Sequence, residues 1–371
     1  MNAIGNIGFE NLNGILRNKS VRKRLAYEDP LWFCLIYLRH YFQYPLAPFH
    51  MEMLHLLKNE KYTFIAVMAF RESGKSTIMN MVNVLWSILG EPQKRFVVIV
   101  SQTQEQAKNH FSNILEELKS NDALRDDFGP FADNEAEWKK TSLELVYHEA
   151  KVLSVSREQS IRGIRYGSLR PDLIICDDLE DGSARNDKTK RDEMHTRFIT
   201  EILPLGSSYT RIVTLGNLIC DDSLMMRLKQ DIKEGRQAGI FRAYPIMDYD
   251  RKILWPGKFN SMESIKELWK KFPKVVWARE FVLKLLYVND DGSEPKPITM
   301  EIGRSLRPGD KIEEFVYIRQ KALIPAMEEF NIPLPEAGDE TPIPIFGYRK
   351  SGQHRYMHCN IDLDKPLESF K

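Results

Sequence analysis

The sequence has few cysteines, no long apolar run and no excess of one charge. The four cysteines lie far apart without a CxxC pair, which argues against a disulfide framework or a zinc ribbon. No apolar stretch approaches the ~18 residues needed to span a bilayer, and the N-terminal residues lack the apolar core of a signal peptide. We therefore expect a cytosolic protein with no membrane partner.

The overall charge is nearly balanced, with 53 basic and 52 acidic residues. Bulk charge therefore indicates neither nucleic acid nor membrane, and any such contact must rest on local clusters. One basic cluster lies near the N-terminus. We interpret it as a solvated helix face, with a contact to phosphates or to a partner subunit as the alternative. Its members are Arg17, Lys19, Arg22, Lys23 and Arg24.

Short β-branched runs alternate with amphipathic segments through the middle of the chain. This rhythm is typical of a mainly parallel sheet covered by helices on both faces, an α/β fold. Helices are predicted over 75–89 and 102–121. The predicted strands are 64–70, 95–101, 150–156, 172–178 and 210–217.

The pattern changes after about residue 245. An Asp-Asp-Gly followed by two prolines in 289–297 predicts a linker or a domain edge. Residues 312–330 are predicted to be helical. Residues 331–346 contain four prolines and predict a loop or an extended segment.

The stretch AFRESGKST at 69–77 has nearly the spacing of a phosphate-binding loop. A buried strand precedes it, Gly74 lets the backbone approach phosphates, and Lys75 at a helix start can reach the terminal phosphates. Ser76 is placed to ligate magnesium. Ala69 replaces the usual first glycine, at a position that shapes the loop entry without touching the ligand. The residues of the predicted nucleotide-binding loop are Arg71, Glu72, Ser73, Gly74, Lys75, Ser76 and Thr77.

A second apolar strand, DLIICDD at 172–178, ends in two carboxylates. A magnesium-holding strand opposite a phosphate loop requires such an end. Asp177 would hold the metal through a water, and Asp178, or Glu180 slightly further on, would orient and deprotonate the attacking water. A Gly-Lys-Ser alone also fits a plain turn, but the two elements together favour ATP hydrolysis with ATP and Mg²⁺ as cofactors.

A third predicted strand ends in the small and polar residues Thr214, Gly216 and Asn217. Ligands of open parallel sheets lie at the carboxyl ends of the strands. Asn217 is therefore placed to sense whether the γ-phosphate is present. An ordinary strand-ending turn remains the alternative for this segment.

Between residues 40 and 240 the chain resembles the large subunit of a tailed-bacteriophage terminase, the motor that packages viral DNA. The matching segments, in order, are PFHMEML, RESGKST, VVIVSQTQEQAKNHF, SIRGIRYGSLRPDLIICDDLED and TLGN. The resemblance implies a RecA-like (ASCE) P-loop ATPase fold with a short C-terminal extension. It implies that His50 lies near the adenine, and that Arg71, on the rim of the loop, reaches the γ-phosphate.

The resemblance also implies the partners and the setting of this chain. They are double-stranded DNA, a portal protein, a terminase small subunit and further copies in a ring, in the cytoplasm of an infected or prophage-carrying bacterium. A neighbouring subunit would supply an arginine, with Arg162, Arg165 and Arg170 as candidates that equally fit DNA contacts or salt bridges. The chain would then divide into an N-terminal helical segment (1–45), an ATPase domain (46–245), a linker or lid region (246–300) and a C-terminal extension (301–371).

The chain departs from the family pattern at two places. Asp178 stands where the family usually has glutamate, so hydrolysis is slower or Glu180 takes the role. The family also adds a nuclease with three acidic residues, for which the remaining ~125 residues are too few. Asp362 and Asp364 resemble the start of such a domain, but we interpret them as part of a surface loop.

Two rival functions follow from the same residues. A helicase or another DNA-remodelling ATPase would need a second RecA-like lobe, and residues after 245 show no such rhythm. A nucleotide-binding scaffold without catalysis is the other, and the paired carboxylates Asp177 and Asp178 argue against it.

Overall fold

The protein is described by a computed structural model. It covers residues 17–134, 138–180, 182–248 and 251–285, together with the backbone of 311–318 and 343–349. The chain divides into two compact units, Met1–Leu286 and Tyr287–Lys371. Among the described residues, no helix has the length and apolarity to cross a membrane.

A seven-stranded sheet forms the centre of the first unit. Its order is β3-β4-β2-β5-β6-β1-β7, and every pairing is parallel except that of β3 with β4. The predicted mainly parallel α/β fold is thereby confirmed. The strands are β1 (Phe64–Ala69), β2 (Phe96–Ser101), β3 (Ser142–Leu145), β4 (Ala150–Ser156), β5 (Leu173–Asp177), β6 (Arg211–Gly216) and β7 (Ile240–Tyr244).

Helices flank this sheet. They are α1 (Lys19–Glu28), α2 (Pro30–Tyr37), α3 (Pro48–Lys58), α4 (Asn83–Leu89), α5 (Gln104–Ser120), α6 (Asp122–Phe128), α7 (Lys188–Arg197), α8 (Leu224–Lys233), α9 (Met262–Trp269) and α10 (Lys274–Trp277). Wider π-helical segments precede α4 (Thr77–Val82) and follow α7 (Phe198–Ile202) and α10 (Ala278–Val282). Short 3₁₀ turns lie at Arg39–Tyr41, Val146–His148, Gly182–Asn186 and Leu203–Leu205.

The two faces of the sheet are covered by different helices. Alternate residues of β1 enter different clusters, so that Ile65 and Val67 pack with the helices before β3 and with α9 and α10. Ala66 and Met68 pack with α7 and α8 on the other face. Because side chains of a strand alternate between faces, each buried strand joins two apolar layers. The sheet is thus covered by apolar layers on both faces. Polar residues lie at the carboxyl ends of its strands.

The N-terminal basic cluster is partly an internal contact. Arg22 Nε donates to the buried Asp127 carboxylate at 2.7 Å, and Tyr37 donates to the same carboxylate at 2.6 Å. Lys19 pairs with the exposed Asp126 at 3.1 Å. The expectation of a solvated face is therefore wrong for Arg22, whose side chain is only 15% exposed.

The described backbone of the second unit is one antiparallel pair, β8 (Lys311–Ile318) with β9 (Ile343–Arg349). The helix predicted over 312–330 is wrong at its start, since β8 occupies 311–318. β-branched and aromatic residues dominate that stretch and favour a strand once a partner is present. The extended alternative for 331–346 agrees with the start of β9. Asp362 and Asp364 lie outside the described residues.

Candidate active site

The carboxyl ends of β1, β5 and β6 meet at one edge of the sheet. Strand β6 lies between the other two. Its Gly216 is in register with Met68 of β1, and its Leu215 with Asp177 of β5. The loop after β1, the acidic end of β5 and the end of β6 are therefore neighbours, as expected for a ligand site in a parallel sheet.

The loop after β1 has the backbone of a tight turn. Gly74 has φ +79° and Glu72 has φ +64°, a left-handed conformation that glycine adopts without steric cost. Lys258 donates to the Glu72 carbonyl at 3.1 Å and pairs with its carboxylate at 3.2 Å, which supports Glu72 in that conformation. The Ile78 N–H donates to the Gly74 carbonyl at 3.2 Å, and the chain turns directly into helix.

Lys75 projects from this loop into the sheet edge. Its Nζ donates to Asn217 Oδ1 at 2.8 Å and lies 4.0 Å from Asp178 Oδ2. The lysine is only 8% exposed. An ammonium has three donors, and a buried charge is costly unless it is paired. Lys75 is thus a largely buried cation with capacity for an anion.

Asp177 is buried at the end of β5, and its two oxygens differ. Oδ2 accepts from Asn80 Nδ2 at 2.5 Å and lies 3.2 Å from His110 Nε2. Oδ1 is buried and has no hydrogen-bond partner within the described structure. Sequence reasoning missed Asn80 and His110. Only the presence of one asparagine in the apolar run TIMNMV hinted at the first, and nothing singled out the second.

Asp178 follows at the point where β5 ends. Its backbone is left-handed, with φ +46°, which aspartate tolerates better than most residues. Burial, together with the neighbouring Asp177 and Glu280 carboxylates, raises the pKa of Asp178 to about 6, while Lys75 opposes the shift. A carboxylate with a pKa near neutrality suits proton transfer.

Glu180 lies at the same edge but is engaged elsewhere. One carboxylate oxygen accepts from the Leu224 N–H at 2.7 Å, at the first residue of α8. Burial raises its pKa. Acceptors at a helix start satisfy otherwise unpaired N–H groups. Glu180 thus caps the start of α8. Among the described residues, the carboxylate that lies near Lys75 is that of Asp178.

A cavity of about 140 Å³ lies beside these residues. Asp178, Glu180 and Asn217 line it, together with Arg279 and Glu280 from the π-helical segment after α10. Arg279 and Glu280 are ion-paired at 2.9 Å. The Arg71 N–H donates to the Glu280 carbonyl at 2.8 Å. Two residues that sequence reasoning placed in a linker therefore belong to the walls of the site.

His50 lies under the phosphate loop with no exposed surface. The Ala47 N–H donates to its Nδ1 at 2.9 Å, so its proton is on Nε2, which donates to the Ser73 carbonyl at 2.6 Å. Trp255 packs edge-on against the ring at 4.5 Å. Burial lowers the pKa of His50 to about 4. Both ring nitrogens are engaged with backbone, and the residue supports the loop from behind.

The remaining predicted residues lie at the loop or on the surface. Ser76 and Thr77 are partly buried at the helix start, and the Arg71 side chain is exposed. Glycine is needed at 216, because a Cβ there would overlap the Met225 side chain.

The three arginines proposed to act on a neighbour are exposed in this chain. Arg162 lies 3.5 Å from Glu201, and Arg170 donates to the Pro204 carbonyl at 3.3 Å. Arg165 makes no ion pair within the described residues. None of these contacts reaches the phosphate loop.

No family profile matches this chain, and no curated protein matches it. Solved structures similar to it include bacteriophage large terminases. The HK97 large terminase is 15% identical with a TM-score of 0.44, over 65% of this chain and 51% of that one. A mutant ATPase domain of the Thermus phage P74-26 large terminase is 12% identical with a TM-score of 0.45, over 68% of this chain and 98% of that one.

The large terminase of another thermophilic bacteriophage, solved in complex with ADP, is 12% identical with a TM-score of 0.43, over 74% of this chain and 61% of that one. This chain thus spans about half of the HK97 protein. At these identities the likeness concerns the fold alone.

Proposed function

We propose that this chain hydrolyses ATP to drive double-stranded viral DNA into a procapsid, as the large subunit of a packaging terminase. One observation carries the ATPase part of the proposal. A largely buried lysine at the start of a helix lies beside Asp178, and the adjacent Asp177 has a buried oxygen without a partner in the described structure. This pair suits the phosphates of a nucleotide and the metal that accompanies them.

The residues fit ATP. The loop from Arg71 to Thr77 would bind the phosphates through backbone N–H groups, and Lys75 would exchange Asn217 for a phosphate oxygen. Asn217 contacts Lys75 directly, so it is placed to respond when that exchange occurs.

The residues also fit Mg²⁺. Ser76 would hold it directly and Asp177 through a water, consistent with the unpartnered buried Oδ1. Within the described ranges, no cluster of three or more His, Cys, Asp or Glu side chains could hold a metal alone. Magnesium needs none, because it usually keeps several waters and shares its ligands with substrate phosphates. Bound there, it neutralises charge on the phosphates.

We assign the general base to Asp178 rather than Glu180. Asp178 faces Lys75, whereas Glu180 accepts from the start of α8. Asp178 would orient the attacking water and take its proton. An arginine of a neighbouring subunit, with Arg162, Arg165 and Arg170 as candidates, would stabilise the developing charge, and Arg71 would act within its own subunit. Such arginines contribute about 10³–10⁵ in rate in related enzymes.

The motor part of the proposal rests on the order of motifs from PFHMEML to TLGN. The proposed partners are a portal protein, a terminase small subunit and further copies of this chain in a ring. The proposed location is the cytoplasm of the bacterial host. DNA would be held through its backbone, so binding should weaken with salt. We keep 46–245 as the ATPase domain, with 1–45 as its helical start. Contacts of Lys258 and Glu280 with the loop favour counting 251–285 with it.

A triplex-displacement assay tests the motor against its rivals. We expect the protein to remove a third strand from a linear duplex when ATP is present, and Lys75→Ala to remove none. Strand separation of a forked duplex would instead favour a helicase. Nucleotide binding with neither activity would favour the scaffold.

A further inference from the structure

We infer that Asn80 and His110 are positioning residues that fix the orientation of the Asp177 carboxylate, so that Oδ1 faces the metal position. The inference rests on the proposed function, because it concerns a metal that the site is proposed to bind. Neither residue belongs to the motifs that predicted the site, and they come from different helical segments.

Asn80 reaches Asp177 from the π-helical segment before α4. It is 3% exposed, and its Nδ2 donates to Oδ2 at 2.5 Å. A π-helical turn is uncommon and often occurs at functional sites. Here the wide turn falls directly after the phosphate loop and carries a polar side chain among buried apolar ones. The local geometry therefore directs Asn80 to the end of β5.

His110 approaches the same oxygen from α5. Its Nε2 lies 3.2 Å from Oδ2, and its side chain is 31% exposed while that of Asp177 is 2% exposed. The pair lies at ion-pair distance without the alignment of a hydrogen bond, so His110 is a close polar neighbour of Oδ2 in this geometry. His110 therefore closes the outer side of the carboxylate, while Asn80 holds its inner side.

Asn80 and His110 both contact Oδ2, and this has a consequence for Oδ1. A half-turn of the carboxylate would merely exchange its two equivalent oxygens, whereas tilting it away would lose both contacts. One oxygen is therefore always occupied by Asn80 and His110, and the other is always presented. That other oxygen is buried without a partner in the described structure, which is costly unless a ligand completes it.

A neighbouring residue supports a polar ligand at this position. Ser101 of β2 is in register with Asp177, so the two side chains leave the sheet on the same face. The Ser101 hydroxyl is also buried without a hydrogen-bond partner in the described structure. A metal-bound water would satisfy both oxygens, and buried waters commonly make about three such bonds.

The test measures metal binding separately from nucleotide binding. Mn²⁺ serves as the probe, and its dissociation constant is measured by the spin-resonance signal of free Mn²⁺ with a non-hydrolysable ATP analogue present. Analogue affinity is measured in EDTA by fluorescence. The variants are His110→Leu, His110→Gln, which retains an N–H donor, and Asn80→Ala. His55→Leu, at an exposed position of α3, is the matched control.

We expect His110→Leu and Asn80→Ala to raise the Mn²⁺ dissociation constant about 10- to 100-fold, the range typical of removing an outer-shell partner of a metal site. His110→Gln should recover most of that loss, and analogue affinity in EDTA should not change. Thermal melting checks that each variant is folded. Should one of them fail to fold, the other still decides the matter.

Wild-type Mn²⁺ affinity in folded His110→Leu or Asn80→Ala would overturn the inference and leave the proposed function standing. An equal loss of analogue affinity in EDTA would overturn it as well, since that result indicates a general structural role. If the wild-type protein bound no Mn²⁺ with the analogue, the proposed function would fail, and the inference with it.

Discussion

Replacing His50 by leucine should loosen the phosphate loop and change the pH dependence of stability. The histidine is fully buried and exchanges hydrogen bonds with Ala47 and Ser73. Leucine keeps the bulk but leaves a backbone N–H and a carbonyl without partners. Each buried unsatisfied group costs about 1–3 kcal/mol. We expect a loss of about 2–4 kcal/mol in the free energy of unfolding at pH 7.5.

The pH dependence gives this prediction its sign. Burial, with a smaller contribution from Lys258, lowers the pKa of His50 from the usual 6.5 to about 4, while the hydrogen bond to the Ser73 carbonyl opposes the shift. Below pH 6.5 the unfolded chain therefore binds the proton that the folded chain excludes. The wild-type protein loses stability as pH falls from 6.5 towards 4, by at most roughly 3 kcal/mol at 1.36 kcal/mol per pH unit.

Urea unfolding at pH 7.5 and pH 5 measures both effects. His50→Leu should be less stable than the wild-type protein at pH 7.5, and the difference should shrink at pH 5 because the variant has no imidazole to protonate. Other titrating groups are common to both proteins and cancel in the comparison. A difference that is the same at both pH values would refute the assignment of a buried neutral histidine behind the loop.

Three further predictions concern other sites. Asp127→Ala should lower the free energy of unfolding by about 1–3 kcal/mol, because it removes the buried acceptor of Tyr37 and one of the two carboxylates that contact Arg22. The exposed Asp126→Ala should cost clearly less, and equal costs in urea unfolding would contradict the buried pair. Asp178→Asn should abolish turnover. Its melting temperature should exceed that of the wild-type protein by more at pH 8 than at pH 5. The reason is that the raised pKa of Asp178 stabilises the wild-type fold at low pH, and this contribution is lost as pH rises through about 6; a pH-independent difference between variant and wild type would refute it. Supercoiled plasmid with Mg²⁺ or Mn²⁺ should stay intact, and nicking that Asp362→Ala removes would show a nuclease in the C-terminal residues.

The sheet could be predicted because its central strands are buried on both faces. Runs such as FIAVMA and FVVIVS carry a strong local signal, and the polar residues that end them mark the edge where a ligand binds. Strands β3 and β7 were not predicted. Each is short and only partly buried, so pairing with a neighbour, rather than local sequence, decides its conformation.

The site residues also differ in whether local sequence identifies them. Asp177 ends a strand, Asn217 directly follows one, and Lys75 lies in the loop after one, so local sequence identifies them. His110 and Glu280 reach the site through tertiary packing. His110 lies on the exposed face of α5, which has no unusual sequence feature, and Glu280 lies in the π-helical segment after α10, far along the chain from the other site residues. His50 was expected beside adenine, and the structure places it behind the loop. A single sequence carries no periodic signal for contacts of this kind.

Steady-state ATP turnover tests the central claim most directly. The account predicts Mg²⁺-dependent hydrolysis by the wild-type protein and by Lys61→Ala, an exposed lysine that precedes β1, and a loss of at least about 100-fold, equal to about 2.7 kcal/mol, in Lys75→Ala. Turnover that is the same in Lys75→Ala as in Lys61→Ala, in a folded preparation, would contradict the account, because hydrolysis would then occur somewhere other than this loop.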